Sequence, residues 1–309
     1  MATKKVAFLF MVYDTIAHEA TWNDFFAQAD PAKYAIHIHY KTQIPSRYFE
    51  KCKLDHCVPT AYGDISLVIA QNLLLTAALQ DPDVYKMVLL SNTCIPLKSF
   101  DYVYDQLTRD NNGYFNVAPQ SQCFPTYEQV AKYVPRDEIY KSSQWFIANR
   151  TQATMYTTHT EYIEYLTSSD KRRKICPEEC YYITINKKFC SEDTVYTYNE
   201  AVAATTFTNW KGMDYKYSSH RGLKNYRTIT ADELDYLLTA PCLFGRKFIK
   251  GCLVTDSIAT GATGATEANG AKGAKVVRGA KVVTHLYKPK GVTLSDYLSN
   301  KRGKGGKGS

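Results

Sequence analysis

The chain has 309 residues, 45% of them hydrophobic and 22% charged, an ordinary globular balance and enough length for one sizeable α/β domain with appendages. Its net charge of +8 does not mark a nucleic-acid-binding fold: residues 251–309 hold ten Lys and Arg against three acidic residues, which leaves the first 250 nearly neutral. Nine scattered cysteines fit reduced thiols rather than a disulfide framework.

In chain order, residues 5–13 (KVAFLFMVY) form an apolar strand, too short to span a bilayer and lacking a small-residue cleavage site. Residues 15–29 have helical spacing, with Ile16, Ala20 and Phe26 among the apolar positions, and 34–40 (YAIHIHY) alternate as a strand. A long apolar-rich helix is expected over 65–79, with Asp64 as its N-cap. A buried strand follows at 85–90, a helix at 100–108 and a strand at 113–118. Strands separated by helices of this length predict a mainly parallel sheet covered on both faces. In such sheets ligands lie beyond the carboxyl ends of the strands, here after Tyr13, Tyr40 and Leu90.

Residues 120–250 are less regular, with short helices expected at 161–166 and 231–238. From Gly261 the chain runs in triplets, five of the first seven opening with glycine, but without the invariant glycine and abundant proline of collagen. The segment 258–284 therefore reads as a low-complexity linker. Within 285–309, a short piece up to Leu298 is expected to form a little structure, and the end, KRGKGGKGS, to be disordered.

Three features bear on chemistry. The Asp81-Pro82-Asp83 pair has the look of a divalent-metal motif, but it precedes its strand, whereas the ligand end carries the uncharged Ser91, Asn92 and Thr93. Without a metal, a departing diphosphate needs cations, and Arg246 and Lys247 are adjacent basics inside LFGRKF. Taken alone they read as a solvated pair. Glu178 and Glu179 stand after Pro177 in CPEEC, where either could be a helix-dipole partner or a general base. Cys176, Cys180 and Cys190 match no common zinc spacing and lack a fourth ligand.

The ordered blocks VAFLFMVYD, YAIHIHYK, TAYGDISLV, YKMVLLSNTCIPLKS, KSSQWFIANR, CPEECYYIT, FTNW and LFGRKF, over residues 4–252, resemble the core-2/I-branching N-acetylglucosaminyltransferase family, which includes peptide O-xylosyltransferases. The resemblance implies a GT-A-like, Rossmann-type α/β fold, with a mainly parallel sheet and helices on both faces. It implies Glu179 as the catalytic base in the family's Pro-x-Glu motif, and Arg246 and Lys247 as diphosphate ligands. A further basic residue falls on Lys224, or on Arg221 or Arg227 if the count slips. Thr60, Ala61 and Tyr62 match a stretch that lines the nucleotide, and Gln144 and Trp145 a donor-sugar pair. Trp210 is the candidate for stacking on the acceptor. His39 stands where relatives often carry an aspartate that contacts uridine, and Gln144 replaces the aspartate of xylosyltransferases.

The expectation is thus a domain over 1–257, then a linker over 258–284 and a basic tail over 285–309. It would be an inverting, metal-independent transferase that uses a UDP-sugar (GlcNAc first, xylose second) and a glycan or glycoprotein acceptor. No cofactor, nucleic acid or membrane span is expected, and the compartment would be the cytoplasm, with the secretory-pathway membrane association of animal relatives as the alternative. The rival is a carbohydrate-binding protein that has the fold and has lost turnover. A dinucleotide-dependent oxidoreductase is excluded by the absence of glycine after the first strand.

Overall fold

The computed structural model describes residues 3–123, 127–167, 175–198, 202–256 and 291–305. In chain order its strands are β1 (Lys5–Val12), β2 (Tyr34–Tyr40), β3 (Val84–Ser91), β4 (Ile95–Pro96), β5 (Gly113–Val117) and β6 (Ile147–Asn149). There follow β7 (Thr194–Tyr198), β8 (Thr206–Thr208), β9 (Tyr226–Thr230), β10 (Phe244–Arg246), β11 (Phe248–Thr255) and β12 (Val292–Thr293). The α-helices are α1 (Glu19–Phe26), α2 (Ser66–Leu79), α3 (Phe100–Thr108), α4 (Arg150–Thr158), α5 (Glu161–Leu166), α6 (Tyr181–Phe189), α7 (Ala231–Thr239) and α8 (Leu294–Gly305).

The main sheet has the order β2-β1-β3-β6-β5-β7. β1 pairs in parallel with β2 and β3, and β5 with β7; β6 runs antiparallel to both of its neighbours. Five of the six strands therefore point one way, and the fold is a mainly parallel α/β sheet.

β1 shows why. Its side chains alternate between two cores: Ala7, Leu9 and Met11 face α2, α4 and α6, whereas Val6, Phe8, Phe10 and Val12 face α1 and α3. A strand buried on both faces reads as a continuous apolar run, since a polar residue on either side would lose its water. On the second face Phe8 meets Phe26 at 5.0 Å and Phe25 at 5.7 Å, both edge-on. Trp22 packs alongside and donates its indole N–H to the Cys94 carbonyl. Each such ring contributes roughly 1.5–3 kcal/mol by burial.

The first helix is shorter than its spacing predicts. Asp14 Oδ1 accepts the Thr15 N–H, and the Ala17 N–H goes to the Asn92 carbonyl. These bonds tie residues 14–17 to the end of β3, so the helix begins only at Glu19. α2 begins at Ser66 with Ile65 in the N-cap place and no side-chain cap; Asp64, expected there, stands one residue earlier, and its Oδ1 accepts the Ser66 N–H. Asp81 lies at the amino end of β3, where it pairs with Lys5 at 2.7 Å.

Two small sheets complete the chain. β10 lies between β4 and β8, and β11 between β9 and β12. Behind them a third core joins Ile95, Phe207, Leu234 and Phe248 to Leu294 and Leu298 of α8. This corrects the reading of the chain's end. α8 is helical through Gly305, and Leu294 and Leu298 are buried. Ser295 bonds Thr21, Ser299 bonds Asp24, and Tyr297 and Lys301 both reach Asp235. The linker at 258–284 lies outside the described residues. Leu298→Ala is expected to cost about 2–4 kcal/mol, the range for a buried leucine, read as a lower urea midpoint; an unchanged midpoint would mean that α8 does not dock in solution.

Candidate active site

A cleft of about 360 Å³ opens beyond the carboxyl end of β5. Val117 and Ala118 come from that strand end, Lys141 to Trp145 from the segment leading into β6, and Glu179 from the turn before α6. Thr208 ends β8, Trp210, Lys211, Gly212 and Met213 follow it, and Arg246 ends β10. Because β8 and β10 pair in parallel, Thr208 and Arg246 stand side by side. Five residues expected at the site from sequence, Gln144, Trp145, Glu179, Trp210 and Arg246, are thus drawn together from four separate parts of the chain.

Glu179 closes a short 3-10 turn (Pro177–Glu179) that follows Cys176, a residue in the left-handed region with φ 48°. Its carbonyl accepts the Ser142 N–H at 2.7 Å, which locks the turn to the opposite wall. Its carboxylate pairs with the Lys141 ammonium at 3.1 Å and stays 29% exposed. Glu178 differs in every respect. It is buried, its Oε2 has no hydrogen-bond partner, and burial pushes its carboxyl up to about 8. A neutral, enclosed acid beside an open, ion-paired one distinguishes the two glutamates that the sequence left undivided.

Arg246 lays its guanidinium over the Trp145 ring at 4.6 Å from the centroid. Its Nε is buried and has no hydrogen-bond partner among the described residues. Burial lowers its pKa, opposed by Cys94 and Glu179. The flat cation is therefore held by an aromatic face rather than by a carboxylate. Lys247 is half-buried beside it, with its pKa lowered first by burial and then by the neighbouring guanidinium; it is not among the residues that line the cleft.

Other expected contacts also lie outside the lining of this cleft. Lys224 is not at the cleft: its ammonium sits 2.8 and 3.0 Å from the two oxygens of Glu233. Glu233 is nearly buried and also accepts from Tyr226, so the lysine compensates an enclosed carboxylate. Arg221 and Arg227 are exposed and also absent from the lining. His39 is buried, and its Nε2 accepts the Val58 N–H at 3.0 Å. Burial pushes it down to about 4, so it is a neutral ring, and its bond to Val58 pins the loop. Thr60, Ala61 and Tyr62 sit on that loop; Tyr62 is 74% exposed and hydrogen-bonds Cys176, which joins the loop to the Glu179 turn.

Sequence reasoning missed Lys141, which directly precedes the serines of KSSQW, and Lys211, which follows Trp210. Their positions were visible, but nothing in the pattern showed which of many lysines faces the cleft. All nine cysteines are free thiols. Among the described residues no group of three or more His, Cys, Asp or Glu is placed to hold a metal ion, and no helix is long and apolar enough to cross a membrane.

A cleft at the carboxyl end of a mainly parallel sheet, holding one open carboxylate and an arginine over an aromatic ring, is where α/β proteins bind small ligands. The chain belongs to the Core-2/I-Branching enzyme family, whose sequence profile matches residues 6–238. It is similar to glycosyltransferase BC10 of Oryza sativa subsp. japonica, with 23% identity over 178 residues, a stretch that spans 55% of this chain and 45% of the rice protein. Among solved structures it is similar to the galactosyltransferase LgtC in complex with donor and acceptor sugar analogues. There the TM-score is 0.40 at 12% identity, covering 77% of this chain and 86% of that one. An active-site mutant of LgtC gives 0.39 at 10% identity, with the same coverage of both chains. Likenesses this distant do not bear on the site.

Proposed function

We propose that the protein transfers a sugar, GlcNAc first and xylose second, from a UDP-sugar to a glycan hydroxyl by a single inverting displacement. The observation that carries this reading is the meeting of Glu179 and Arg246 on one cleft. Glu179 takes the proton of the attacking hydroxyl, which forms the new bond to the anomeric carbon as the bond to UDP breaks. Lys141 holds the carboxylate in place through the 3.1 Å ion pair. Arg246 faces the departing diphosphate, with Lys247 adding charge from behind. One such cation about 4 Å from a phosphate charge is worth roughly 4 kcal/mol at an effective dielectric near 20. Trp145 and Gln144 bound the donor sugar, and Trp210 offers its exposed face to the acceptor.

The metal-free form of the reading is supported by where charge lies. The carboxylates of Asp81 and Asp83 belong to the amino end of β3, and its carboxyl end presents Ser91, Asn92 and Thr93. The test is a panel of UDP-sugars scored for UDP release, with UDP-GlcNAc expected to be cleaved fastest. Tight donor binding with no release from any donor would favour a binding protein instead.

A further inference from the structure

The cleft is electrically lopsided. Lys141, Lys211 and Arg246 line it, against Glu179 as the sole acidic residue among the described lining. Lys141 is neutralised by Glu179. Arg246 is the group directed at the donor diphosphate. Lys211 is left over: among the described residues no carboxylate stands within ion-pair distance of it, and it lies on the acceptor side, next to Trp210.

Lys211 is not an ordinary surface lysine on a loose loop. Its backbone N–H donates to the Gly222 carbonyl at 2.9 Å, and Trp210 and Lys211 each bridge to the returning chain, at Leu223 and Ser219. Beneath them the fully buried Asn209 accepts the Ser219 N–H at 2.8 Å and donates to the Tyr217 carbonyl and the Tyr226 hydroxyl. Tyr226 in turn donates to Glu233, the carboxylate that Lys224 neutralises. Gly212 then turns the chain with φ +76°, a conformation that suits glycine. An enclosed polar network therefore holds the backbone of one exposed aromatic, and of one cation with no carboxylate partner among the described residues, side by side on the cleft wall. Trp210 is 47% exposed there.

An aromatic face takes the apolar side of a pyranose ring, and a cation beside it has nothing to bind on a neutral sugar that water would not supply as well. We infer that the acceptor is an anionic glycan, its ring resting on Trp210 and its carboxylate or sulfate paired with Lys211. The inference rests on the reading of this cleft as a transferase site and specifies the acceptor class.

The test compares neutral and charged partners of one scaffold: an aryl β-galactoside, the corresponding galacturonide and the 6-sulfate, each with the preferred UDP-sugar. At low ionic strength kcat/KM is expected to be about fivefold or more higher for a charged acceptor than for the neutral one. The difference should lie in KM and shrink as salt screens the pair. Lys211→Gln should bring the acceptors to parity, and Lys211→Glu should reverse the order. The carboxylate and sulfate arms show which anion is preferred. In parallel, neutral galactan and galacturonan oligomers are titrated in the presence of UDP by tryptophan fluorescence, with Trp210→Phe as the blank. Equal binding of the two, no binding of the anionic oligomer, or a preference that survives Lys211→Gln overturns the inference. Failure of the transferase reading looks different: no UDP is released from any donor, while the oligomer comparison still gives its own answer.

Discussion

Glu179→Gln is expected to lower sugar transfer by ~10²-fold or more while UDP binding stays close to wild type. The substitution keeps the size of the side chain and most of its hydrogen bonding but removes the site that accepts a proton, and general-base help of this kind is worth ~10²–10⁴ in rate. The contrasting variant is Glu178→Gln. Its carboxyl is enclosed and raised to about 8 from 4.5, so the native side chain is already neutral at pH 7 and activity should survive. The consequence for stability has a definite sign. A carboxyl held above its unfolded value contributes fully below about pH 4.5, and that contribution is lost as the pH rises to about 8. Glu178→Gln should flatten the fall in stability across this window and be the more stable protein above it, by an amount on the order of a few kcal/mol. Transfer lost in Glu178→Gln and kept in Glu179→Gln would exchange their roles.

Arg246→Ala should weaken donor binding and turnover together, with kcat/KM down by ~10²–10³-fold. A preorganised cation aimed at developing charge is typically worth about 3–4 kcal/mol in a closed site. The guanidinium lies over the Trp145 ring, so Arg246→Lys should restore only part of the loss: it returns the charge but not the planar guanidinium. Steady-state kinetics with varied donor, beside calorimetric titration of UDP, separate binding from turnover. If Arg246→Ala binds UDP and turns over as wild type does, the leaving group is stabilised from elsewhere on the cleft, and Lys141 and Lys211 become the candidates.

Four of the six strands of the central sheet, β1, β2, β3 and β5, were legible because each obeys a local rule. β2 and α3 run over the residues that alternation and helical spacing indicate, and β1 and β3 differ by a residue at their ends. Motif order also pointed to Gln144, Trp145, Glu179, Trp210 and Arg246, which converge on one cleft. What escaped has physical reasons. β4, β8 and β10 are two or three residues long and pair across up to about 150 positions of sequence, a length at which periodicity carries no signal. α8 buries only two leucines, four residues apart, within a polar, basic stretch, so its composition resembles the linker before it. Lys224 was placed by counting along the chain, but its ammonium is claimed by Glu233, which the first turn of α7 brings beneath it. His39 faces inward because the Val58 amide needs an acceptor there, a demand no sequence pattern displays.

The central claim is a metal-free single displacement with Glu179 as base and Arg246 on the leaving group. The most direct measurement is transfer from the preferred α-linked UDP-sugar in excess EDTA, with the anomeric proton of the product followed by NMR. The account predicts an undiminished rate and a β-linked product from the first turnover. Activity that disappears in EDTA and returns with Mn²⁺, or an α-linked product, would contradict it.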